Sequence, residues 1–257
     1  MLYCRYGPEG FYAAGESFSA LRILHSDPLA TPISQWRFGR EIDLSSEGIR
    51  APVEPGKLVC IGRNYAEHAR ELDHPVPAEP VLFLKSPGSV IGPATPVVLP
   101  PESQRVEYEG EIAVVLRDRL RRASAADAER AVLGVTAACD VTARDLQRRD
   151  PTFARAKSFD TFCPLGPAVL VEPNLTGLAV VTRVNGAERQ RGHVREMLWG
   201  IVDLLVYASR MMTLEPGDVV LTGTPAGVGE LHDGDRLEVE VSGVGVLANP
   251  VETWRQG

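Results

Sequence analysis

The segment Val106-Glu107-Tyr108-Glu109-Gly110-Glu111-Ile112-Ala113-Val114-Val115-Leu116 carries three carboxylates at alternate positions, ahead of a β-branched, apolar run. Successive strand side chains point to opposite faces, so the spacing predicts Glu107, Glu109 and Glu111 on one face, followed by Ala113 and Val115. A carboxylate row that turns apolar suits a hard cation, which takes oxygen ligands. The alternative is the polar outer face of an antiparallel strand. Asp140 stands where a predicted strand, 133–139, meets a helix start at Thr142-Ala143-Arg144-Asp145. There it either completes the Glu109/Glu111 set or caps the helix. Lys157 lies among small and apolar residues in Arg155-Ala156-Lys157-Ser158-Phe159. It reads as a held lysine or as an exposed loop lysine. His68 and Glu71 are three apart in a short predicted helix, 65–72, and so share a face. A carboxylate beside an imidazole orients it as a base, unless the two are simply an exposed helix pair.

The chain that must position these groups has 257 residues, 24 Gly and 20 Pro, a composition that favours strands and turns over a bundle. Its net charge of −7 argues against nucleic-acid or anionic-membrane partners. No apolar run is long enough to span a bilayer, and the N-terminus has no signal-peptide pattern. The four cysteines are widely spaced with no Cys-x-x-Cys, so reduced thiols in the cytoplasm are the expectation.

Residues 1–55 read as a small β-rich domain closed by the Pro-rich linker 51–56, and 56–257 as the larger domain. Strands are predicted at 2–6, 20–24, 58–61, 81–84, 97–99 and 219–221. Ser124-Ala125-Ala126-Asp127 reads as a capping box opening a helix to about Val132. Asn185-Gly186 is a hairpin turn between 179–184 and 187–191. An amphipathic stretch, 197–212, buries Ile201, Leu205, Ala208 and Met212. The Gly-rich loop Thr222-Gly223-Thr224-Pro225-Ala226-Gly227 lacks the Gly-Lys-Ser/Thr of a P-loop; its backbone N–H groups suit a small carboxylate instead. His25 and His74 read as surface or loop histidines.

Four motifs occur in order: Glu109-Gly110-Glu111; Asp140-Val141-Thr142-Ala143-Arg144-Asp145-Leu146-Gln147; Lys157-Ser158-Phe159-Asp160-Thr161-Phe162-Cys163-Pro164; and Thr222-Gly223-Thr224-Pro225. With them, roughly residues 57 to 250 resemble the fumarylacetoacetate hydrolase family. The resemblance implies an α+β, mostly β architecture, a mixed β-roll-like catalytic fold. It implies Mg²⁺ or Mn²⁺ on Glu109, Glu111 and Asp140, with Arg144, Gln147, Gly223 and Thr224 facing substrate. His68, Glu71 and Lys157 would be catalytic, and Gly62-Arg63-Asn64-Tyr65 through Glu71 resembles the acylpyruvase lid. Where larger fumarylacetoacetases carry a further acidic metal-site residue, this chain has Asn64, which points away from fumarylacetoacetate itself. The implied reaction is hydrolysis of a carbon–carbon bond in a small 2-oxo or 2,4-dioxo acid, through an enolate stabilised by the metal. The alternatives are a hydroxymuconate-type diacid isomerase or decarboxylase of aromatic catabolism, and an oxaloacetate decarboxylase. A homodimer is also implied. The rival class is a binder that merely holds small acids without turnover.

Overall fold

The structure, a computed structural model, describes residues 1–44, 48–71 and 76–255, apart from the side chain of Ala69. His74 and the predicted end of the first helix lie outside the described residues. The fold is mostly β, as expected from the resemblance, and its centre is the strand Gly110–Leu116, buried along its whole length. Strands covered on both faces read as continuous apolar runs, and Ile112-Ala113-Val114-Val115-Leu116 is one. It pairs antiparallel with Val132–Cys139 on one side and Val219–Leu221 on the other. Leu58–Gly62 then adds parallel to Val219–Leu221, and Val81–Lys85 closes that edge. In the other direction Cys163–Val171 follows Val132–Cys139, and Leu2–Tyr6 follows Cys163–Val171. The result is a sheet of twelve strands among the described residues.

A second sheet of five strands contains the predicted hairpin, Ala179–Val184 with Ala187–His193. Its turn residues Asn185 and Gly186 have φ of +54° and +77°, as a two-residue hairpin turn with right-handed twist requires. Leu237, Val239 and Val241 of Arg236–Val241 point inward, and Ile112, Val135, Val180 and Val239 join in one core. The two sheets therefore share their apolar interior, and the acidic site lies where the strands of the large sheet end.

Several expectations change at the level of elements. The carboxylate segment is not one strand. Val106–Tyr108 belongs to a separate three-stranded sheet with Thr142–Ala143 and Gly229–Glu230, and the chain changes sheet at Glu109. Glu107 thus does not join Glu109 and Glu111. The predicted helix start at Thr142 is a short strand, and the helix begins at Arg144. The capping box at Ser124 is present, but its helix stops at Arg130 because Val132 enters the central sheet. The amphipathic helix runs Ile201–Met211 rather than from Met197, since Gly200 is its N-cap. It buries Ile201, Leu205 and Ala208. Among the described residues, no helix is long and apolar enough to cross a membrane.

Candidate active site

Glu109 and Asp140 meet because of strand register. Gly110 pairs with Cys139, so the next pair outward is Glu109 and Asp140, tied by an Asp140 N–H to Glu109 C=O bond of 2.8 Å. Glu111, two residues along, returns to the same face. The three carboxylates are buried, and each places an oxygen within 4.8 Å of the others. Gly110 is obligatory: a Cβ there would lie 1.9 Å from Thr182 Oγ1. Gln190, not singled out from sequence, accepts from Gly110 N–H at 3.0 Å and donates to Thr224 Oγ1 at 2.7 Å. Thr224 in turn donates to Gly110 C=O at 2.9 Å. Together they pin the turn between the two acids.

Buried cations balance the cluster. Lys157 Nζ donates to Glu109 at 2.7 Å and to Asp140 at 2.6 Å, over the face of Phe83 at 5.1 Å. It is a held lysine, not a loop lysine. Lys85, missed from sequence, donates to Asp140 Oδ1 at 2.7 Å and to Val141 C=O at 3.1 Å. Its signal was parity: Val81, Phe83 and Lys85 share a strand face, and both Val81 and Phe83 line the site. Asp140 is no helix cap, since Ala143 takes that position without a side-chain bond. Arg144 bridges Glu107 at 2.7 Å, Glu109 at 2.5 Å and Gln147 at 2.6 Å. Glu107 thus anchors Arg144 instead of extending the carboxylate row.

These pairings set the protonation chemistry. Burial alone would raise Glu109, but Lys157 and Arg144 outweigh it and hold its carboxyl well below the usual range. Lys157 is pushed down by burial yet held above its ordinary value by Asp140 and Glu109. Glu111 lacks such a cation. Burial, then Asp140 and Glu109, push it well above its ordinary value, against only the Gly223 N–H bond of 2.6 Å and a weaker pull from Lys157. A divalent cation among the three oxygens would remove that imbalance, and an all-oxygen donor set suits a hard ion. The residues therefore fit a divalent metal.

Above the carboxylates lies a cavity of about 340 Å³, within the small-molecule range. His68, Arg144, Gln147, Lys157 and Thr224 line it with the three acids. His68 is buried, and its Nδ1 lies 3.2 Å from Glu71 Oε2. Glu71 stands behind the imidazole and accepts from Gly227 N–H at 3.0 Å, so the Gly-rich loop holds a carboxylate of the chain itself. Gly223 N–H donates to Glu111 at 2.6 Å, so its backbone donor serves the carboxylate cluster. Asn64 is structural, bonding Trp199 and Thr222 C=O at 3.1 and 2.8 Å and Trp199 N–H at 3.0 Å.

Comparison with known proteins agrees with this geometry. Residues 57–252 match the model described as fumarylacetoacetate (FAA) hydrolase C-terminal. The mitochondrial oxaloacetate tautomerase FAHD2A of Homo sapiens is 43% identical over 214 residues, 78% of this chain and 68% of that protein. Among solved structures, 5-carboxymethyl-2-hydroxymuconate delta-isomerase from Mycobacterium smegmatis superposes with a TM-score of 0.88 at 37% identity, over 99% of this chain and 100% of that one. The 2-hydroxyhepta-2,4-diene-1,7-dioate isomerase from Mycobacterium marinum gives 0.88 at 36% identity, over the full length of both. Sequence motifs, fold and buried carboxylate cluster converge: the chain is an enzyme of the fumarylacetoacetate hydrolase family.

Proposed function

We propose that the enzyme hydrolyses a carbon–carbon bond in a small 2,4-dioxo acid bound over Glu109, Glu111 and Asp140. The observation that carries this reading is the buried His68, which lines the cavity with the carboxylates and has Glu71 behind its Nδ1 at 3.2 Å. Mg²⁺ or Mn²⁺ held by the three carboxylates would supply Lewis-acid polarisation of the 2-oxo acid head. Glu71, fixed by Gly227 N–H, accepts from His68 Nδ1–H and leaves Nε2 as the basic nitrogen. Nε2 takes a proton from water, which attacks the distal C4 carbonyl; the C3–C4 bond then breaks, its electron pair leaves on C3 as the enolate of the 2-oxo acid, and the proton taken by His68 returns to that carbon. Lys157 and Arg144 place positive charge where negative charge develops on the departing three-carbon fragment. Gln147 and Thr224 orient the acid.

A second reading has a specific support. The isomerases and the tautomerase that this chain resembles are named for isomerisation of di- or tricarboxylic acids, not for hydrolysis. In that case His68 moves a proton on carbon next to the 2-oxo group, and no water attacks. One fold hosts both outcomes. Acylpyruvates, oxaloacetate and hydroxymuconate-type diacids, each followed by NMR with Mg²⁺, separate them: cleavage products support the hydrolase, and interconversion of tautomers without cleavage replaces it with the isomerase. Decarboxylation of oxaloacetate would appear in the same screen as pyruvate. We further propose a homodimer acting in the cytoplasm, checked by light scattering and fractionation.

A further inference from the structure

A second cavity, of about 670 Å³, borders the Gly-rich loop and shares no lining residue with the one over the carboxylates. One of its walls is Gly227-Val228-Gly229. The N–H of Gly227 is the donor that fixes Glu71 behind His68. One short segment therefore borders this cavity and anchors the orienting carboxylate.

On the strand Val106–Tyr108, Glu107 turns to Arg144, so Tyr108 turns to the opposite face, across from its register partner Gly229. Glycine at 229 makes room for the ring, since a Cβ there would lie 2.7 Å from the Tyr108 hydroxyl. Tyr108 lines the cavity and is only 4% exposed, yet its hydroxyl has no hydrogen-bond partner among the described residues. A phenol otherwise buried normally finds a partner, and here the cavity is what is left to supply one. Arg189, on the strand Ala187–His193, lines the same cavity. It is exposed and has no carboxylate within 4.0 Å among the described residues. Burial raises the Tyr108 phenol above its ordinary value, Arg189 pulls it back, and Glu71 adds to the rise. Phenol, guanidinium and Glu71 thus share one electrostatic neighbourhood. The carboxylates that line the cavity are already engaged. Glu188 pairs with Arg191 at 2.6 Å, Asp235 accepts from Asn185 at 2.7 Å and from His232 N–H at 2.8 Å, and Glu230 faces His232 at 3.9 Å. Two donors remain without an acceptor, Tyr108 and Arg189. Gly227 also rests on Arg189, because a Cβ at 227 would lie 2.0 Å from Arg189 C=O.

We propose that this cavity is an effector site for a small oxyanion, a carboxylate or a phosphate, held by the Tyr108 hydroxyl and the Arg189 guanidinium. The bound anion ties Tyr108 and Arg189 together across Gly227–Gly229. That steadies the Gly227 N–H against Glu71, and with it the orientation of His68. Two sites coupled in this way bias each other reciprocally. The binding half assumes nothing about the reaction; the coupling half rests on the reading of His68 as the base.

The probes are inorganic phosphate and acetate, titrated calorimetrically into the metal-free protein. Arg189→Gln should lower the affinity about tenfold, the loss of a charge-assisted hydrogen bond, and Tyr108→Phe about fivefold. Arg148→Gln, which alters the carboxylate cavity instead, should leave it unchanged. Either order of the two probes supports the site, and the tighter one names the ligand class. Tyr108→Phe keeps the ring in place, so its melting temperature should match wild type while its affinity falls. Hydrogen exchange followed by NMR reads the coupling without turnover. The Gly227 amide should exchange several-fold more slowly on saturation with the tighter probe, and the slowing should vanish in Arg189→Gln. Affinity that survives the Tyr108→Phe, Arg189→Gln double variant overturns the site, as does no binding of either probe at millimolar concentration. Binding with unchanged Gly227 exchange overturns the coupling. A fully active His68→Gln variant removes the hydrolytic reading instead, while the binding and exchange results stand.

Discussion

A buried carboxylate is tolerated only with compensating charge, and each acid of this site meets that demand differently. Asp140 has two lysines, Glu109 has Lys157 and Arg144, and Glu111 has mainly the Gly223 N–H. Glu111→Gln keeps an acceptor for that N–H while removing the charge that its neighbours oppose. The metal-free variant should therefore melt higher than wild type, by about 0.5–2 kcal/mol of stability, while its affinity for Mg²⁺ falls sharply. Melting in EDTA and calorimetric Mg²⁺ titration check the two halves. Lys85→Met acts the other way. It leaves Asp140 Oδ1 buried with one cation fewer, and stripping a partner from a buried pair costs about 3–5 kcal/mol. Chemical denaturation should show that loss before any assay is run. His68→Gln should lower turnover by about 10²–10⁴-fold, the usual contribution of a general base, while oxalate still binds with Mg²⁺. Unchanged turnover would remove His68 from the chemistry.

At the scale of elements, the helix Ala66–Glu71 is too short to be stable by itself, so its position depends on its anchors. Tyr65 bridges Met197 at its start, and Glu71 takes the Gly227 N–H at its end. Gly227 has φ of +102°, and a Cβ there would lie 2.0 Å from Arg189 C=O. Gly227→Ala must shift the loop, which releases Glu71 and with it the orientation of His68. A hydrogen bond to a charged group contributes about 1.5–3 kcal/mol, so kcat should fall by about tenfold or more. Mg²⁺ affinity should be close to wild type, since Gly227 touches no carboxylate of the cluster. A variant with lowered Mg²⁺ affinity instead would mean that the loop shift travels to Gly223 and Glu111.

For the whole molecule, the N-terminal residues raise a question of independence. The family match begins at residue 57, yet Leu2 and Tyr3 pair with Leu170 and Val169 of the large sheet. Leu2, Tyr3 and Cys4 are buried. Removing residues 1–55 would bare the edge of Cys163–Val171, and an exposed apolar edge invites pairing with other chains. The fragment 56–257 should accordingly aggregate or melt well below the full chain, judged by size-exclusion chromatography and calorimetry. A monodisperse fragment that melts with the full chain would establish 1–55 as a separable domain.

What sequence determined by itself was local chemistry. Side-chain parity, a short-range property, placed Glu109 and Glu111 on one face; Asp140 and Lys157 joined them only through the ordered motifs of the family resemblance. The Asn185-Gly186 hairpin and the Ser124 cap were legible for the same reason: turn and cap geometry depend on a few adjacent residues. Partners far along the chain were decided only by tertiary structure. Whether Lys85 meets Asp140, Glu71 meets Gly227, or Gln190 pins Gly110 depends on which strands become neighbours, and single-chain periodicity does not encode that order. The break at Glu109 shows why. Alternation alone placed Glu107 with the other acids, but the Thr182 hydroxyl leaves room only for a glycine at 110, and the strand hands over to a second sheet. Glu107 then meets Arg144 instead of the cluster, because long-range packing, not local spacing, sets where each carboxylate ends.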